Sequence, residues 1–201
     1  MKSRILSIIA IVIVVLGITN LTYAATNNSA VVTTLTGISA INKIEVHGNV
    51  ELFVSDGNAD QVKVYNKYYS ENALVQSGNG LLRISSYTAE KLVVWVTAAD
   101  LRSISAFDNS VVKSFGTLSK IEFSVDLHNN ASAKLGLDAF NATLTVSDHS
   151  KADLSGTAEN FDLIHYQAST VNKFNFTAAN YKENKVGFAT ADKADDDVAG
   201  I

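Results

Sequence analysis

The sequence predicts an all-β protein: a right-handed parallel β-helix (β-solenoid) of about 20 residues per rung with an irregular N-terminal strand cap. Three observations lead there. From Ala98 to about Asn180 the chain repeats every 20 residues. From Ile38 to Val96 apolar and polar residues alternate at the period of a half-buried strand. Proline is absent from all 201 residues, which suits uninterrupted ladders because proline removes a backbone donor.

The repeat blocks begin at Ala98, Leu118, Asp138 and Ala158. Asp108-Asn109-Ser110, His128-Asn129-Asn130, Asp148-His149-Ser150 and Ala168-Ser169-Thr170 share one phase. Gly116, Gly136 and Gly156 share another, with Asn175 in the fourth block. At about 3.3 Å per residue, one such block fits one circuit of a small β-helix. Stacking rungs about 4.8 Å apart would place Leu101, Ile121 and Phe161 in one interior column. Phe115 and Leu135 would form a second, with Leu154 and Phe174 each shifted one place. A fifth circuit, Ala178 to Phe188, decays into an acidic end.

Taken in order, the chain opens with Lys2 and Arg4, an apolar run from Ile5 to Ile18, and the small-x-small site Thr22-Tyr23-Ala24. Residues 1–24 read as a signal peptide. The alternative is an uncleaved anchor, for which the run falls short of the roughly 20 residues a spanning helix needs. Residues 25–37 read as a flexible lead-in, 38–188 as one domain (strands over 38–97, repeats over 98–188), and 189–201 as an acidic tail. Charges there discourage end-to-end growth. Ile44 and Val46, then Val50, Leu52 and Val54, set one apolar face, with Glu51 and Phe53 on the other. Gly48-Asn49 is a turn signal between them, and Asp56-Gly57-Asn58 ends the second strand. Val62 to Tyr65 continues the alternation. Ser77-Gly78-Asn79-Gly80 turns into Leu81, Leu82 and Ile84. Leu92 to Val96 is a fifth strand, with Trp95 assigned to the core. These strands are expected to cap the N-terminal end of the solenoid, whose open ladder would otherwise expose unpaired N–H and C=O groups.

Composition narrows function. Sixteen basic and 20 acidic residues give a net charge of −4 without a basic run, which excludes the phosphate-neutralising footprint of a nucleic-acid binder. Absent cysteine excludes disulfides, zinc–thiolate sites and a lipid-modified cysteine. No nucleophile elbow, HExxH or phosphate loop occurs, so neither catalytic residues, a metal nor a cofactor is expected.

Two sets of binding candidates remain. Asp108, His128 and Asp148 stand 20 apart with His149 adjacent, so a solenoid would align them on one edge. Carboxylates and a histidine so aligned would suit polysaccharide cleavage or a metal. The competing reading is turn chemistry, because Asp, Asn, Ser and His tolerate left-handed backbone and bond it locally. Tyr65, Tyr68 and Tyr69, with Lys63 and Lys67, form an aromatic–basic patch able to stack on sugar rings. His47 and His165 read as outward strand residues.

Ile44-x-Val46, Val50-x-Leu52-x-Val54, Gly80-Leu81-Leu82-x-Ile84, Leu92-Val93-Val94-Trp95-Val96-Thr97 and Leu101-x-x-Ile104 run in this order into small polar repeats. Over about Ile41 to Tyr181 this resembles the auto-transporter adhesin head GIN domain family of secreted bacterial proteins. The resemblance implies a β-helix-like all-β fold and an exported location in the periplasm, outer envelope or outside the cell. It also implies a non-enzymatic role in cell-surface or envelope interactions, with an unknown surface or glycan ligand and no stable membrane span after signal cleavage. The alternative is a carbohydrate-binding or polysaccharide-cleaving protein using the Asp/His column. The Asp-Asn-Ser, His-Asn-Asn and Asp-His-Ser triplets depart from the family's Ser-Gly-type turns.

Overall fold

The computed structural model describes residues 32–36, 38, 40–65 and 73–187. The expected signal peptide, Tyr68, Tyr69, Lys67 and the acidic tail lie outside the described residues. The chain is all-β. Its strands are β1 (Val32–Leu35), β2 (Lys43–Gly48), β3 (Val50–Asp56), β4 (Gln61–Tyr65), β5 (Ala73–Gly78) and β6 (Leu81–Ser86), then β7 (Leu92–Ala98), β8 (Ser103–Ala106), β9 (Val111–Leu127), β10 (Ser132–Val146), β11 (Lys151–Tyr166) and β12 (Thr170–Val186).

The right-handed parallel β-helix is not what these strands build. They form one mixed sheet whose main path, β1-β4-β7-β3-β9-β8-β2-β6-β5, is open at both ends and curls into a half-barrel. β1–β4, β4–β7 and β5–β6 are antiparallel, and the remaining pairs are parallel. One margin is a hairpin closed by Asn79 (φ 53°) and Gly80 (φ 80°), the backbone a two-residue hairpin turn demands. The other is Val32–Leu35, part of the expected lead-in, which pairs with β4 through Val32↔Tyr65 and Leu35↔Val62. Nor are the N-terminal strands a cap. β2 pairs with β8, and β3 pairs with β9, so they carry the same sheet onward.

The repeat is visible as pairing among β9, β10, β11 and β12. Val111 pairs with Ser132, Ser132 with Lys151, and Lys151 with Thr170, steps of 21, 19 and 19 residues rather than an even 20. Irregularities in register create those unequal steps, and they decide which side chains are inside. Leu101, Leu135, Leu154 and Phe161 are buried as expected, whereas Ile121, Phe115 and Phe174 are 81%, 64% and 91% exposed. Opposite Lys134–Gly136, β9 inserts extra residues between Lys113 and Thr117, and Phe115 is extruded. Opposite Asp153–Ser155, β12 inserts one between Asn172 and Asn175, and Phe174 is extruded. Phe123, aligned with Ala142 and Phe161, takes the interior place expected for Ile121. A strand's side-chain period is two, so each slip of one residue reverses the face.

The core lines the concave side. Val64, Val94, Leu52, Val112 and Ala133 sit side by side on adjacent strands, and each is buried. Burying a Val or Leu side chain contributes about 1.5–3 kcal/mol, so this continuous inner layer is what holds the open sheet in its curl. Trp95, expected in the core, alternates with Val94 and Val96 and stands half-buried on the convex face.

Candidate functional site

The predicted polar column is a corner where the backbone turns left-handed. Asp108, Asn129 and Asp148 have φ of 60°, 61° and 53°, and Gly48 continues the column at 79°. Asp108 Oδ2 accepts the Gly48 N–H at 3.0 Å, and its Oδ1 accepts the Asn129 side-chain amide at 3.1 Å. Asp148 Oδ2 accepts the Asn129 N–H at 2.8 Å. Asp and Asn suit left-handed positions because a short polar side chain bonds the backbone nearby.

The uneven step places Asn129, not His128, between the two aspartates. His128 instead stacks on Phe107, 4.8 Å between ring centroids and 6° from parallel, and His47 stacks on the opposite face of Phe107 at 4.5 Å and 2°. Glu45 accepts from His47 at 2.7 Å; this bond, with help from Arg83 and against burial, holds the Glu45 carboxyl below its ordinary range. His149 is exposed beside Asp148, and both line a shallow depression of about 500 Å3 with Asp108, Asn109, Asn129 and Asn130. Three of the predicted residues, Asp108, Asp148 and His149, therefore meet, but the two carboxylates already hold turn donors. Just inside this corner, the hydroxyls of Ser110 and Ser150 are buried without a hydrogen-bond partner among the described residues.

The convex face carries a second constellation. Lys63 lies opposite Trp95, Trp95 opposite Phe53, Phe53 opposite Lys113, Lys113 opposite Lys134, Lys134 opposite Asp153, and Asp153 opposite Asn172. Residues directly opposite share a face, so these seven side chains form one row across seven strands. Phe53 and Trp95 stack at 4.8 Å, and Phe115 leans on Trp95 at 5.3 Å. The Lys113 ammonium sits 5.5 Å from the Phe53 ring centre and 2.6 Å from Glu51. Tyr65, the one described member of the predicted tyrosine patch, lies 6.3 Å from Trp95 at the row's edge.

Sequence reasoning found Lys63 and Tyr65 but not Phe53, Trp95, Phe115, Lys113 and Lys134. Alternation did place Phe53 on the outer face beside Glu51. What it lacked was the strand order β4-β7-β3-β9-β10, in which sequence neighbours are not sheet neighbours.

A third cluster closes the open end of the core. Tyr181 and Glu183 of β12 lie opposite Phe161 and Leu163, with Lys173 in the bulge beside Leu154. Tyr181 stacks on Phe161, and Lys173, Tyr181 and Glu183 are mutually hydrogen-bonded, with His165 Nε2 2.8 Å from Glu183. The bonds from Tyr181 and Lys173 hold the Glu183 carboxyl down at about 2, against burial. Burial pulls Lys173 down, but its bonds to Tyr181 and Glu183 outweigh that and raise it.

The family described as "Putative auto-transporter adhesin, head GIN domain" matches residues 40–197. The chain belongs to it. Solved structures similar to this GIN domain include a "putative adhesin" from Bacteroides fragilis, 14% identical, covering 78% of this chain and 76% of that one at a TM-score of 0.68. Two more come from Parabacteroides distasonis (14% identical, 79% and 80% covered, TM-score 0.61) and Parabacteroides merdae (16% identical, 80% and 79% covered, TM-score 0.55). At such identities the likeness is one of fold. No curated protein matches this GIN domain.

Proposed function

We propose that this GIN domain is an exported, non-enzymatic module that holds a surface or envelope partner against its convex face. The observation that carries this reading is the row from Lys63 to Asn172, with Trp95 and Phe53 between Lys63 and Lys113 and Phe115, 64% exposed, beside them. Contiguous apolar surface outside a core is costly to leave in water and marks contact sites. Aromatic anchors with a polar rim are the usual composition of such contacts. A wide, open row suits an extended partner rather than a small molecule enclosed for chemistry. The Asp108/Asp148 corner supports the cleavage alternative less well, since its carboxylates are engaged in fixing the turn.

The test is binding of the purified chain to bacterial envelope fractions and to a glycan array, comparing Trp95→Ala with Asp148→Asn. Loss of binding with Trp95→Ala alone supports the convex face. Loss with Asp148→Asn alone moves the site to the corner.

A further inference from the structure

We propose that the convex row takes a uronate polysaccharide lying across the strands, its carboxylates held by Lys113, Lys134 and Lys151 and its apolar sugar edges by Phe53, Trp95 and Phe115. This rests on the reading of the convex face as the binding surface and names the ligand class for it.

The first argument is charge. Lys113 and Lys134 are direct neighbours on parallel strands, and Lys151 lies opposite Ser132, one step diagonal from Lys134. All three line one shallow groove of about 340 Å3 floored by Ala133 and Ala152. Like charges directly opposite one another destabilise a sheet, so this placement calls for anions beside it. The carboxylates at hand neutralise it only in part. Glu51 is engaged by Lys113 at 2.6 Å. Asp153 stands 3.9 Å from Lys134 and accepts from the Asn172 amide at 3.0 Å. Lys151 has no ion-pair partner among the described residues. A cationic groove on a chain of net charge −4 is a local feature, not a consequence of overall composition.

The second argument is shape. Lys113 and Lys134 stand at the strand spacing of about 4.8 Å, close to the advance of one pyranose residue along a polysaccharide, and Lys151 follows one diagonal step on. The rings are stacked edge-out across the strands, with Phe53 and Trp95 4.8 Å apart and 22° from parallel. Their faces are largely covered by each other and by Lys113, so nucleobases lack the open platforms that single-strand binding uses. An edge-out ridge still offers apolar contact to sugar C–H groups. Lysine, a flexible point charge with three donors, suits carboxylates whose orientation varies along a polymer.

The experiment is titration of the purified chain with polygalacturonate and with uncharged galactan, at low and high salt, for wild type, Lys134→Glu/Lys151→Glu and Trp95→Ala. The expected result is binding of polygalacturonate over galactan, weakened by salt because exposed charges are screened within about 8 Å at physiological ionic strength. The lysine double variant loses about tenfold or more in affinity; urea unfolding at an unchanged midpoint shows that it is folded, and Lys134→Gln gives a smaller loss in the same direction. Equal binding of galactan, or binding indifferent to the lysines yet lost with Trp95→Ala, overturns the uronate assignment and leaves the convex face standing. Indifference to both the lysine and Trp95 variants overturns the face as well. Preferential binding of single-stranded DNA in a parallel titration also overturns the assignment.

Discussion

The backbone N–H of Asn129 points at Oδ2 of Asp148, 2.8 Å away in the next turn. Both residues stand at left-handed φ, so the bond stitches one turn to the next where ladder pairing has paused. Removing the carboxylate leaves an N–H unpaired and puts a Cβ-bearing residue at φ 53° without its compensating bond. Asp148→Ala is expected to cost about 1–2 kcal/mol of stability. Asp148→Asn, which keeps an acceptor, costs less. Urea unfolding of the three proteins checks the order.

Ser110 and Ser150 make the opposite case. Each hydroxyl is buried with no partner among the described residues, and Ala131 occupies the aligned position between them. Replacing an unsatisfied buried hydroxyl with a methyl removes a desolvation cost. Ser150→Ala is expected to raise stability by about 1 kcal/mol, read as a higher urea midpoint at constant slope. A lower midpoint would mean the hydroxyl has a partner in solution.

Gly156 has φ of 102°, and a Cβ built there would lie 2.0 Å from the carbonyl oxygen of Leu137. Gly116, at φ 82°, has open space around the same point. Gly116→Ala should therefore cost about 1–2 kcal/mol from backbone strain alone. Gly156→Ala should exceed about 3 kcal/mol, because backbone must move as well. Thermal melts of the pair decide it.

Acid should weaken the end of the core. Glu183 has an ordinary carboxyl value of 4.5 and is held at about 2 in the fold by Tyr181 and Lys173. A group lowered by folding adds stability above its unfolded value and loses it as pH falls through its folded value. The contribution is thus full above about 4.5 and fades towards about 2. Its side chain is 37% exposed, so screening keeps the effect modest. Glu183→Gln should flatten the decline of urea midpoint between these pH values; an unchanged slope would place the acid sensitivity elsewhere.

Much of this protein was legible without coordinates. Alternation through Val50, Leu52 and Val54 fixed an inner face, because a strand's side chains alternate whatever the strand pairs with. The small polar residues at one phase marked turns, and Asp108 and Asp148 are left-handed as their chemistry requires. Family membership was also readable, since it resides in that order of apolar patterns and turns.

Tertiary structure alone decided the rest. An even period of 20 could not reveal the extra residues that extrude Phe115 and Phe174 or put Asn129 where His128 was expected, because register depends on which strand lies alongside. For the same reason a repeat suggested a closed parallel coil, while antiparallel partners at both margins made an open, curled sheet. Trp95 and Lys134 are 39 residues apart in the chain, yet only Phe53 and Lys113 separate them on the convex face. That row exists because long-range pairing assembles it.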